Sequence, residues 1–314
     1  MRFLFTNIVL KEYVSMNKIA CMIVTYNRCN LLKRCLDALD NQTYQEFDIL
    51  VLNNGSSDET LAYLEERKKT TKKKLIIETV VQNRGMAYGY NRGYAAVFER
   101  GYEWIWTMDD DGLAENHQLE ELLKSQKETG LLYLNALVCD IEKNGKLAFD
   151  VLGKKTILEL KDKFIYGVVR PDNGTLINRE IFNKCGNIKS ELFSYGMETE
   201  YVSRALKYGF KVATVTSAIH YHPAKMSGSI RIAKYIPFTT INVNDLSNQN
   251  IYLYIRNYTY IFMNEKKYKD AFLYGFKPFI YCVLHGKLKL LPLLIRASYN
   301  GFRANIRFIS FDLL

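Results

Sequence analysis

Three consecutive aspartates, Asp109, Asp110 and Asp111, end an apolar stretch that reads WIWTM. Adjacent carboxylates repel one another, so either bulk water around a turn or a bound cation must offset the repulsion. If the strand continues through the motif, Asp109 and Asp111 point to the same side. Mg²⁺ and Mn²⁺ prefer such oxygen ligands and keep further coordination sites for water and phosphate oxygens. The spacing therefore allows divalent-metal chemistry at a strand end, with a solvated turn as the alternative.

The aspartates need a scaffold, and the pattern around them predicts an α/β fold. Short apolar strands alternate with amphipathic helices from residue 18 onward, which is typical of a mostly parallel sheet with helices on both faces. The strands are expected at 18–24, 47–52, 75–81 and 103–108. Open sheets of this kind bind ligands beyond the carboxyl ends of their strands. The segments that follow these strands are polar or glycine-rich: TYNR, NNGSSD, QNRGMAYGYNRG and DDDG.

Capping residues predict where two of the helices begin. Asn30 is expected to cap a helix with an apolar face that includes Leu32 and Leu36. In SSDE, the Ser56 hydroxyl and the Glu59 carboxylate match a capping box that opens the next helix.

The strand-end blocks, taken together, resemble the nucleotide-sugar-binding domain of the family 2 inverting glycosyltransferases. The blocks are CMIVTYNR, LNNGSSDET, QNRGMAYGYNRG and WIWTMDDDG. They are most similar to the galactofuranosyl- and rhamnosyltransferase-like branch, over roughly residues 17 to 224. Blocks in a fixed order are more specific than any one of them. The resemblance implies a GT-A fold, in which a Rossmann-like sheet binds a nucleotide sugar.

The resemblance implies that the first two strand ends line a nucleotide cleft. Thr25, Tyr26 and Arg28 would lie there, with Tyr26 against the base or ribose and Arg28 near a phosphate. Asn53 stands where relatives usually carry an aspartate that accepts a hydrogen bond from uracil. An asparagine carbonyl accepts the same hydrogen bond without adding a charge.

The third strand end is expected to contribute Asn83, Gly85 and Asn91 to the same cleft, because the resemblance extends over this block. Glycine would let the backbone approach the nucleotide closely. The glycine spacing differs from the G-x-G-x-x-G of dinucleotide-binding proteins, so hydride transfer is not the expected chemistry.

For the metal, the resemblance implies Asp111 as a direct ligand and Asp109 as a ligand or ribose contact. His222, in the segment HYHP, matches the last histidine of the family and would be the third ligand through a neutral ring nitrogen. His220 is expected to be a neighbour on the opposite strand face. Mn²⁺ or Mg²⁺ is the expected cofactor, because the departing nucleoside diphosphate gains negative charge as the glycosidic bond breaks.

An inverting transfer also needs a base that takes the proton of the acceptor hydroxyl. Residues 192–223 resemble the acceptor-side block of the family, in which Glu198 matches the base and Glu200 the next acid. Met197 replaces an acid that is often found before the base, and the base itself is more often an aspartate. Residues two apart on a helix cannot face the same point, so Glu198 is the first choice and Glu200 the alternative.

The distribution of charge divides the chain. Residues 225–314 hold 13 Lys and Arg against 4 Asp and Glu, nearly all of the net charge of +10. We expect an N-terminal arm at 1–15, a GT-A domain at 16–224 and a basic, aromatic helical region at 225–314. Its helices are predicted near 246–264, 267–285 and 288–303. An anionic membrane suits this region, with packing on the sheet domain as the alternative, and no nucleic-acid-binding motif accompanies the charge.

Other sequence features bear on the compartment. The six cysteines lack the spacing of disulfide or zinc frameworks, which favours reduced cytosolic thiols. The opening residues lack a signal-peptide cleavage pattern, and no run of about 18 apolar residues predicts a membrane span. We therefore expect a cytoplasmic protein, peripheral on the inner face of the cell membrane.

Together these features predict a metal-dependent inverting glycosyltransferase. It would move a sugar, with galactofuranose or rhamnose favoured, from UDP or dTDP to a hydroxyl of a cell-surface glycan or lipid-linked saccharide. A nucleotidyltransferase of sugar phosphates is one rival, but the first strand is not followed by the glycine-rich basic loop that it needs. A non-catalytic sugar-nucleotide or membrane-binding module is the other, favoured by Met197 and Asn53.

Overall fold

The computed structural model describes residues 18–224, 230–231, 240–241, 248–284, 286 and 288–307. They form two compact units. The first unit holds residues 18–84, 89–188 and 204–224, and the second holds residues 85–88, 189–203 and the described residues from 230 onward. The N-terminal arm predicted at 1–15 lies outside the described residues, as does most of the segment from 225 to 247.

The first unit contains a mixed sheet of eleven strands. They are β1 (Ile19–Thr25), β2 (Asp48–Asn53), β3 (Leu75–Thr79), β4 (Trp104–Asp109), β5 (Leu113–Ala114), β6 (Tyr133–Asp140), β7 (Lys146–Val151), β8 (Lys154–Thr156), β9 (Phe164–Tyr166), β10 (Asn173–Asn178) and β11 (Val212–His222). The main order is β3-β2-β1-β4-β10-β6-β11-β5. The first four strands are parallel, whereas β10 runs antiparallel to both of its neighbours.

The helices match the predicted alternation. They are α1 (Cys29–Asp40), α2 (Thr60–Thr70), α3 (Met86–Glu99), α4 (Gln118–Thr129), α5 (Arg179–Cys185), α6 (Met197–Lys207), α7 (Asn248–Asn264), α8 (Tyr268–Leu284) and α9 (Leu291–Phe302). The α/β fold class is confirmed, and the three C-terminal helices begin and end within about three residues of their predicted bounds. The antiparallel pairs beyond β4 were not predicted, because single-strand patterns do not reveal pairing direction.

The central strands β1, β2 and β4 are buried in the core of the first unit. Every residue of β1 is buried, as are five of the six residues of β2 and of β4, so these strands are apolar on both faces. Helix α1 covers one face with Cys29, Leu32, Cys35, Leu36 and Leu39. The strand register places Thr25 opposite Asn53, and Val24 opposite Asp109. The polar strand ends therefore meet at one edge of the sheet.

Both predicted helix caps are wrong. Helix α1 begins at Cys29, before Asn30, and no side chain caps it at Arg28. Helix α2 begins at Thr60 rather than directly after Ser56, and the Asp58 carboxylate accepts a hydrogen bond from the Thr60 amide at 3.1 Å. A cap is decided by contacts between loops, which a short sequence window does not contain.

The second unit is built on α7, α8 and α9. Its core is apolar and consists of Tyr252, Leu253, Ile255, Cys282, Leu293, Leu294 and Ala297. Helices α7 and α9 approach closely, since a Cβ at Gly301 would lie 2.7 Å from the Arg256 carbonyl oxygen. A short pair of strands, β12 (Ile230–Arg231) and β13 (Thr240–Ile241), also belongs to this unit. None of the described helices is both long enough and apolar enough to cross a bilayer.

Candidate active site

Asp110, the middle aspartate of the triplet, is an anchor for the loop after β1. Its side chain is almost fully buried and accepts a hydrogen bond of 2.7 Å from the Thr25 hydroxyl. The guanidinium of Arg28 donates to Asp110 at 3.0 Å and to Asp111 at 3.1 Å. Burial raises the pKa of the Asp110 carboxyl, although the hydrogen bonds from Thr25 and Arg28 oppose this rise. Two donors thus offset much of the repulsion within the motif.

Asp109 and Asp111 instead form a cluster with His222. One ligand atom from each of the three lies within 4.8 Å of the other two. His222 Nδ1 lies 2.8 Å from the Pro223 carbonyl oxygen, which only accepts, so Nδ1 carries the hydrogen. The lone pair of Nε2 is then directed towards Asp111 Oδ1, 3.3 Å away. Two acceptors at this distance repel unless a proton or a cation lies between them, so the donor set fits a divalent cation.

The electrostatics of this cluster agree with a cation site. Burial and the charge of Asp111 raise the pKa of Asp109 to about 6, and the Tyr90 hydroxyl, which donates to Asp109 at 2.9 Å, only partly offsets them. Burial lowers the pKa of His222, but the hydrogen bond and the charge of Asp111 outweigh it and the pKa is raised. In this arrangement the negative charge of the carboxylates is stabilised only when a positive charge is close.

Strand pairing brings His222 to the aspartates although it lies 111 positions after Asp111 in the chain. The short strand β5 follows the triplet and pairs antiparallel with β11, with Leu113 opposite Tyr221. This register places His222 beside the end of the aspartate motif. The predicted metal ligands are therefore brought together by the fold, and metal binding itself stays a prediction.

Gly112 leaves the space that the buried imidazole of His220 fills. A Cβ on Gly112 would overlap His220 Nε2 and lie 2.9 Å from its Cε1. Gln118 holds the ring from the other side at 3.1 Å, donates to the Ile219 carbonyl and accepts a hydrogen bond from the Trp106 indole. Burial lowers the pKa of His220 to about 3, so the ring is neutral. His220 and His222 are both buried while Tyr221 between them is exposed, so the two histidines lie on the same face of β11. The opposite face expected for His220 is therefore wrong, because side chains alternate between the two faces along a strand.

Asn27 and Asp58, which the sequence analysis passed over, tie the loops after β1 and β2 together. The Asn27 side-chain oxygen accepts a hydrogen bond from the Ser57 backbone amide at 2.7 Å, and the Asn27 backbone amide donates to the Ser56 hydroxyl at 3.0 Å. Asp58 accepts a hydrogen bond from the Cys29 amide at 3.3 Å, at the start of α1. Asn27 also has a positive φ of 51°, which asparagine tolerates better than most residues. Asn27 and Asp58 are visible in the segments TYNR and SSD, but the sequence does not indicate that they connect the two loops.

The predicted nucleotide residues of the first two strand ends differ in exposure. Tyr26 is 42% exposed and the Arg28 side chain is 46% exposed, so both are accessible to a ligand. Thr25 and Asn53 are each 1% exposed. The Asn53 side-chain oxygen already accepts a hydrogen bond from the Ser56 amide at 3.1 Å, which gives Asn53 a structural part in the loop. Its contact with a base stays a prediction.

The residues expected from the third strand end contact protein. Asn83 accepts a hydrogen bond from Asn54 at 3.2 Å. Gly85 has a φ of 89°, and a Cβ there would lie 2.7 Å from the ring of Phe193, so the protein itself occupies the space above this glycine. Asn91 lies within α3 and donates to the Ile188 carbonyl at 2.6 Å. Their predicted contacts with the nucleotide remain predictions.

Tyr90 and Asp172 are further residues near the aspartates that sequence reasoning missed. Tyr90 is fully buried and donates to Asp109, as described above. The Asp172 carbonyl accepts a hydrogen bond from the Asp109 amide at 2.8 Å, and Asp172 has a positive φ of 62°. Tyr90 could be found from the block QNRGMAYGYNRG, whereas nothing in the sequence singles out Asp172.

The two acids proposed as bases lie in the second unit and differ in their surroundings. Glu198 and Glu200 both belong to the first turn of α6. Glu200 is 6% exposed and forms an ion pair of 2.9 Å with Lys189. The ammonium of Lys189 also donates to the Tyr260 hydroxyl at 2.6 Å. The Glu200 carboxylate is thus held by contacts within the protein, and the choice of base between Glu198 and Glu200 stays a prediction.

Comparison with known proteins identifies relatives of the chain. The model of the family described as "Glycosyl transferase family 2" matches residues 20–186. The galactofuranosyltransferase GlfT1 of Mycobacterium tuberculosis is 26% identical over 212 residues, which are 64% of this chain and 69% of that protein. The glycosyltransferase AglE of Haloferax volcanii is 22% identical over 216 residues, or 68% of this chain and 69% of the relative.

Solved structures of similar fold include S. aureus TarS 1–349 in complex with UDP-GlcNAc. The TM-score is 0.60 at 16% identity, and the match covers 92% of this chain and 82% of that one. In a longer TarS structure the match spans 36% of that chain. The mannosyltransferase PcManGT of Pyrobaculum calidifontis, in complex with GDP-Man and Mn²⁺, matches with a TM-score of 0.56 at 14% identity over 92% of this chain and 76% of that one.

Proposed function

Because the chain belongs to glycosyl transferase family 2 and is a glycosyltransferase of the GT-A fold, we propose that it is a metal-dependent, inverting enzyme. It moves a sugar from a nucleoside diphosphate to a hydroxyl of a cell-surface glycan or lipid-linked saccharide. The observation that carries this proposal is the cluster of Asp109, Asp111 and His222 at the carboxyl edge of the sheet. A carboxylate and imidazole cluster at this edge suits a cation that binds a diphosphate.

UDP or dTDP is the proposed nucleotide, and galactofuranose or rhamnose the proposed sugar. The relative GlfT1, a galactofuranosyltransferase, supports the sugar, and the similar fold of TarS, solved with UDP-GlcNAc, supports a uridine nucleotide. Tyr26 and Arg28, the exposed residues of the loop after β1, are the proposed contacts to base or ribose and to phosphate.

Asp109, Asp111 and His222 would hold Mn²⁺ or Mg²⁺. When bound, such an ion stabilises the negative charge that grows on the departing diphosphate. The Tyr90 hydroxyl, which donates to Asp109, fixes one oxygen of this ligand. His222 presents Nε2 because the Pro223 carbonyl holds the hydrogen on Nδ1. The complex of PcManGT with Mn²⁺ supports this choice of metal.

Glu198 is the proposed base that accepts the proton of the acceptor hydroxyl. The ion pair with Lys189 fixes the position of the Glu200 carboxylate, so Glu198 is the first choice of base and Glu200 the alternative. As the hydroxyl oxygen attacks the anomeric carbon, its proton moves to a Glu198 oxygen and the nucleoside diphosphate departs from the opposite face. The product is a glycoside of inverted configuration.

A membrane-bound acceptor fits the C-terminal region, so we place the enzyme at the inner face of the cell membrane. Residues from 248 onward include exposed aromatic side chains, among them Tyr268, Phe272 and Phe276 of α8. Aromatic and basic residues together favour the surface of an anionic bilayer.

The proposal is tested with a panel of nucleotide sugars, Mn²⁺ and isolated membranes, scored for labelled lipid-linked product. Wild-type protein should transfer one of the sugars, whereas Asp111→Ala and Glu198→Gln should lower the rate at least about 100-fold. Glu142→Gln, which changes an exposed glutamate, is the matched control and should leave the rate unchanged.

Two results would overturn parts of this proposal. Nucleotide binding without turnover of any donor would favour a non-catalytic sugar-nucleotide module. Transfer that persists at full rate in a chelator would exclude the metal role of the cluster. Product analysis by NMR distinguishes inversion from retention at the anomeric carbon.

A further inference from the structure

The turn before α6 has an unusual backbone. Phe193 and Tyr195 have positive φ angles of 62° and 44°, and Gly196 follows with 81°. Residues other than glycine adopt such angles only where surrounding contacts impose them. Helix α6 begins at Met197, directly after this turn, and Glu198 is its second residue. Whatever holds the turn therefore also sets where Glu198 lies.

Asn257, from the middle of α7, holds this turn. The residue is fully buried. Its side-chain nitrogen lies 2.8 Å from the Leu192 carbonyl oxygen, 2.7 Å from that of Ser194 and 2.9 Å from that of Tyr195. One amide group thus contacts three carbonyl oxygens of four consecutive residues. Such a concentration of acceptors defines the path of the backbone, since buried carbonyl groups need donors.

Arg256, the preceding residue, fixes the orientation of that amide. Its Nε donates to the Asn257 side-chain oxygen at 2.9 Å, so the nitrogen of Asn257 must face the turn. Its Nη2 donates to the Glu191 carbonyl at 2.9 Å. Arg256 is 1% exposed, and burial lowers its pKa. A buried guanidinium is costly unless it is fully hydrogen-bonded, and here it serves backbone carbonyl groups.

We propose that Arg256 and Asn257 are positioning residues for the base Glu198. They hold the turn at 191–196, the turn fixes the start of α6, and the start of α6 fixes Glu198. This inference rests on the proposed function, because it takes Glu198 as the acceptor of the proton. It gives the C-terminal region a part in the geometry of the reaction, in addition to any contact with a membrane.

Asn257→Asp is the informative variant, because it keeps the shape and the acceptor for Arg256 but places an oxygen against the three carbonyl groups. We expect kcat for transfer to fall about 10- to 100-fold, since a shift of about 1 Å in a reacting group has this effect. The donor KM should stay within about twofold. Asn300→Asp is the matched control, because Asn300 is also a buried amide donor of this unit, to the Tyr252 hydroxyl at 2.7 Å, and should leave kcat within about twofold.

A double-mutant cycle with Glu198→Gln separates positioning from general damage to the structure. If Asn257 acts through Glu198, Asn257→Asp should change the residual rate of the Glu198→Gln protein less than about twofold. The proposal is overturned if Asn257→Asp lowers that residual rate as strongly as it lowers the wild-type rate. It is also overturned if Asn300→Asp matches Asn257→Asp, or if Asn257→Asp leaves kcat unchanged.

Hydrogen exchange gives a readout that does not need activity. Amides of residues 193–201 should exchange at least about tenfold faster in Asn257→Asp than in Asn300→Asp, because the carbonyl contacts of the turn are lost. Equal exchange in the two variants contradicts the positioning role whether or not the wild type transfers sugar. A wild-type protein that transfers no sugar contradicts the proposed function instead, so the two failures are distinguished.

Discussion

Adjacent aspartates of one motif have different partners in this fold. Asp110 is buried against the Thr25 hydroxyl and the Arg28 guanidinium, and its carboxylate binds the loop after β1. Asp109 and Asp111 share the cluster with His222. The repulsion between neighbouring carboxylates is thus offset in two ways, by internal donors at the middle position and, in our proposal, by a cation at the outer two.

Asn substitutions at positions 110 and 111 should separate these roles. Asp110→Asn should lower the free energy of unfolding by roughly 1–2 kcal/mol, because it weakens the hydrogen bonds with Thr25 and Arg28, of which the second is partly exposed. It should leave Mn²⁺ affinity within about threefold. Asp111→Asn should lower Mn²⁺ affinity at least about 100-fold, because a charged ligand is lost.

Both effects are measured on purified protein, by urea unfolding and by the EPR signal of free Mn²⁺ in the presence of UDP. A large loss of Mn²⁺ affinity in Asp110→Asn together with little loss in Asp111→Asn would reverse the assignment of the two residues.

Gly112 is needed for the space it leaves, and not for its backbone angles. Gly112→Ala should lower the free energy of unfolding by about 1–3 kcal/mol, because the new methyl group overlaps the His220 imidazole, which Gln118 holds in place. In a His220→Ala background the same change should cost less than about 0.5 kcal/mol. Urea unfolding of the four proteins measures this coupling. Equal costs in both backgrounds would show that the ring of His220 is not what excludes a side chain.

At the scale of elements, the loops after β1 and β2 behave as one structure. Asn27 binds Ser56 and Ser57, while Asp58 binds the amides that begin α1 and α2. Burial would raise the pKa of Asp58, but the hydrogen bonds from Thr60 and Cys29 outweigh it and the pKa is lowered. The carboxylate therefore serves two helix starts at once, in the region proposed to bind the nucleotide.

The shared cap gives a prediction of pH dependence. The folded-state pKa of Asp58 lies below its unfolded value, so its contribution to stability is present above about pH 4 and lost as the pH falls through the folded-state pKa. Asp58→Ala should lower the free energy of unfolding by about 1 kcal/mol at pH 7, and the difference from wild type should shrink towards pH 3. Urea unfolding at both pH values measures this difference. Glu65→Ala, an exposed change on α2, is the control, and a difference that does not depend on pH would contradict the role of the Asp58 charge.

The strands and helices were predictable because the sequence patterns that indicate them lie within short segments of the chain. Buried parallel strands appear as apolar runs, so β1 to β4 were placed within two residues of their bounds, and their shared carboxyl edge followed from the α/β pattern. The partners of particular side chains were not predictable, because they lie far away in the chain. Thr25 and Asp110 are 85 residues apart, and the space above Gly85 is filled by Phe193. A glycine or asparagine in a family block therefore indicates a constrained position without revealing whether protein or ligand imposes the constraint.

At the scale of the whole molecule, charge and exposed aromatic surface coincide in the C-terminal region. Residues 225–314 hold 13 basic against 4 acidic residues. In α8, Tyr268, Phe272 and Phe276 are 60%, 56% and 48% exposed, at the four-residue spacing that places side chains on one side of a helix. The rings of Phe272 and Phe276 stack with their centroids 5.2 Å apart. Water is a poor environment for such a stripe, whereas the interface of an anionic bilayer accommodates both the rings and the neighbouring lysines.

The whole chain should therefore bind vesicles that contain phosphatidylglycerol more tightly than vesicles of phosphatidylcholine alone, and the binding should weaken as the salt concentration rises. Replacing both Phe272 and Phe276 by serine should lower the partition coefficient at least about tenfold, because two aromatic rings no longer insert. Tyr166→Ser with Tyr208→Ser is the matched control, since these tyrosines of the first unit are 58% and 59% exposed and lie outside α8. Co-sedimentation with vesicles measures the partition. An equal loss in the control pair, or binding to neutral vesicles that is as strong as to anionic ones, would mean that α8 is not the membrane-facing surface.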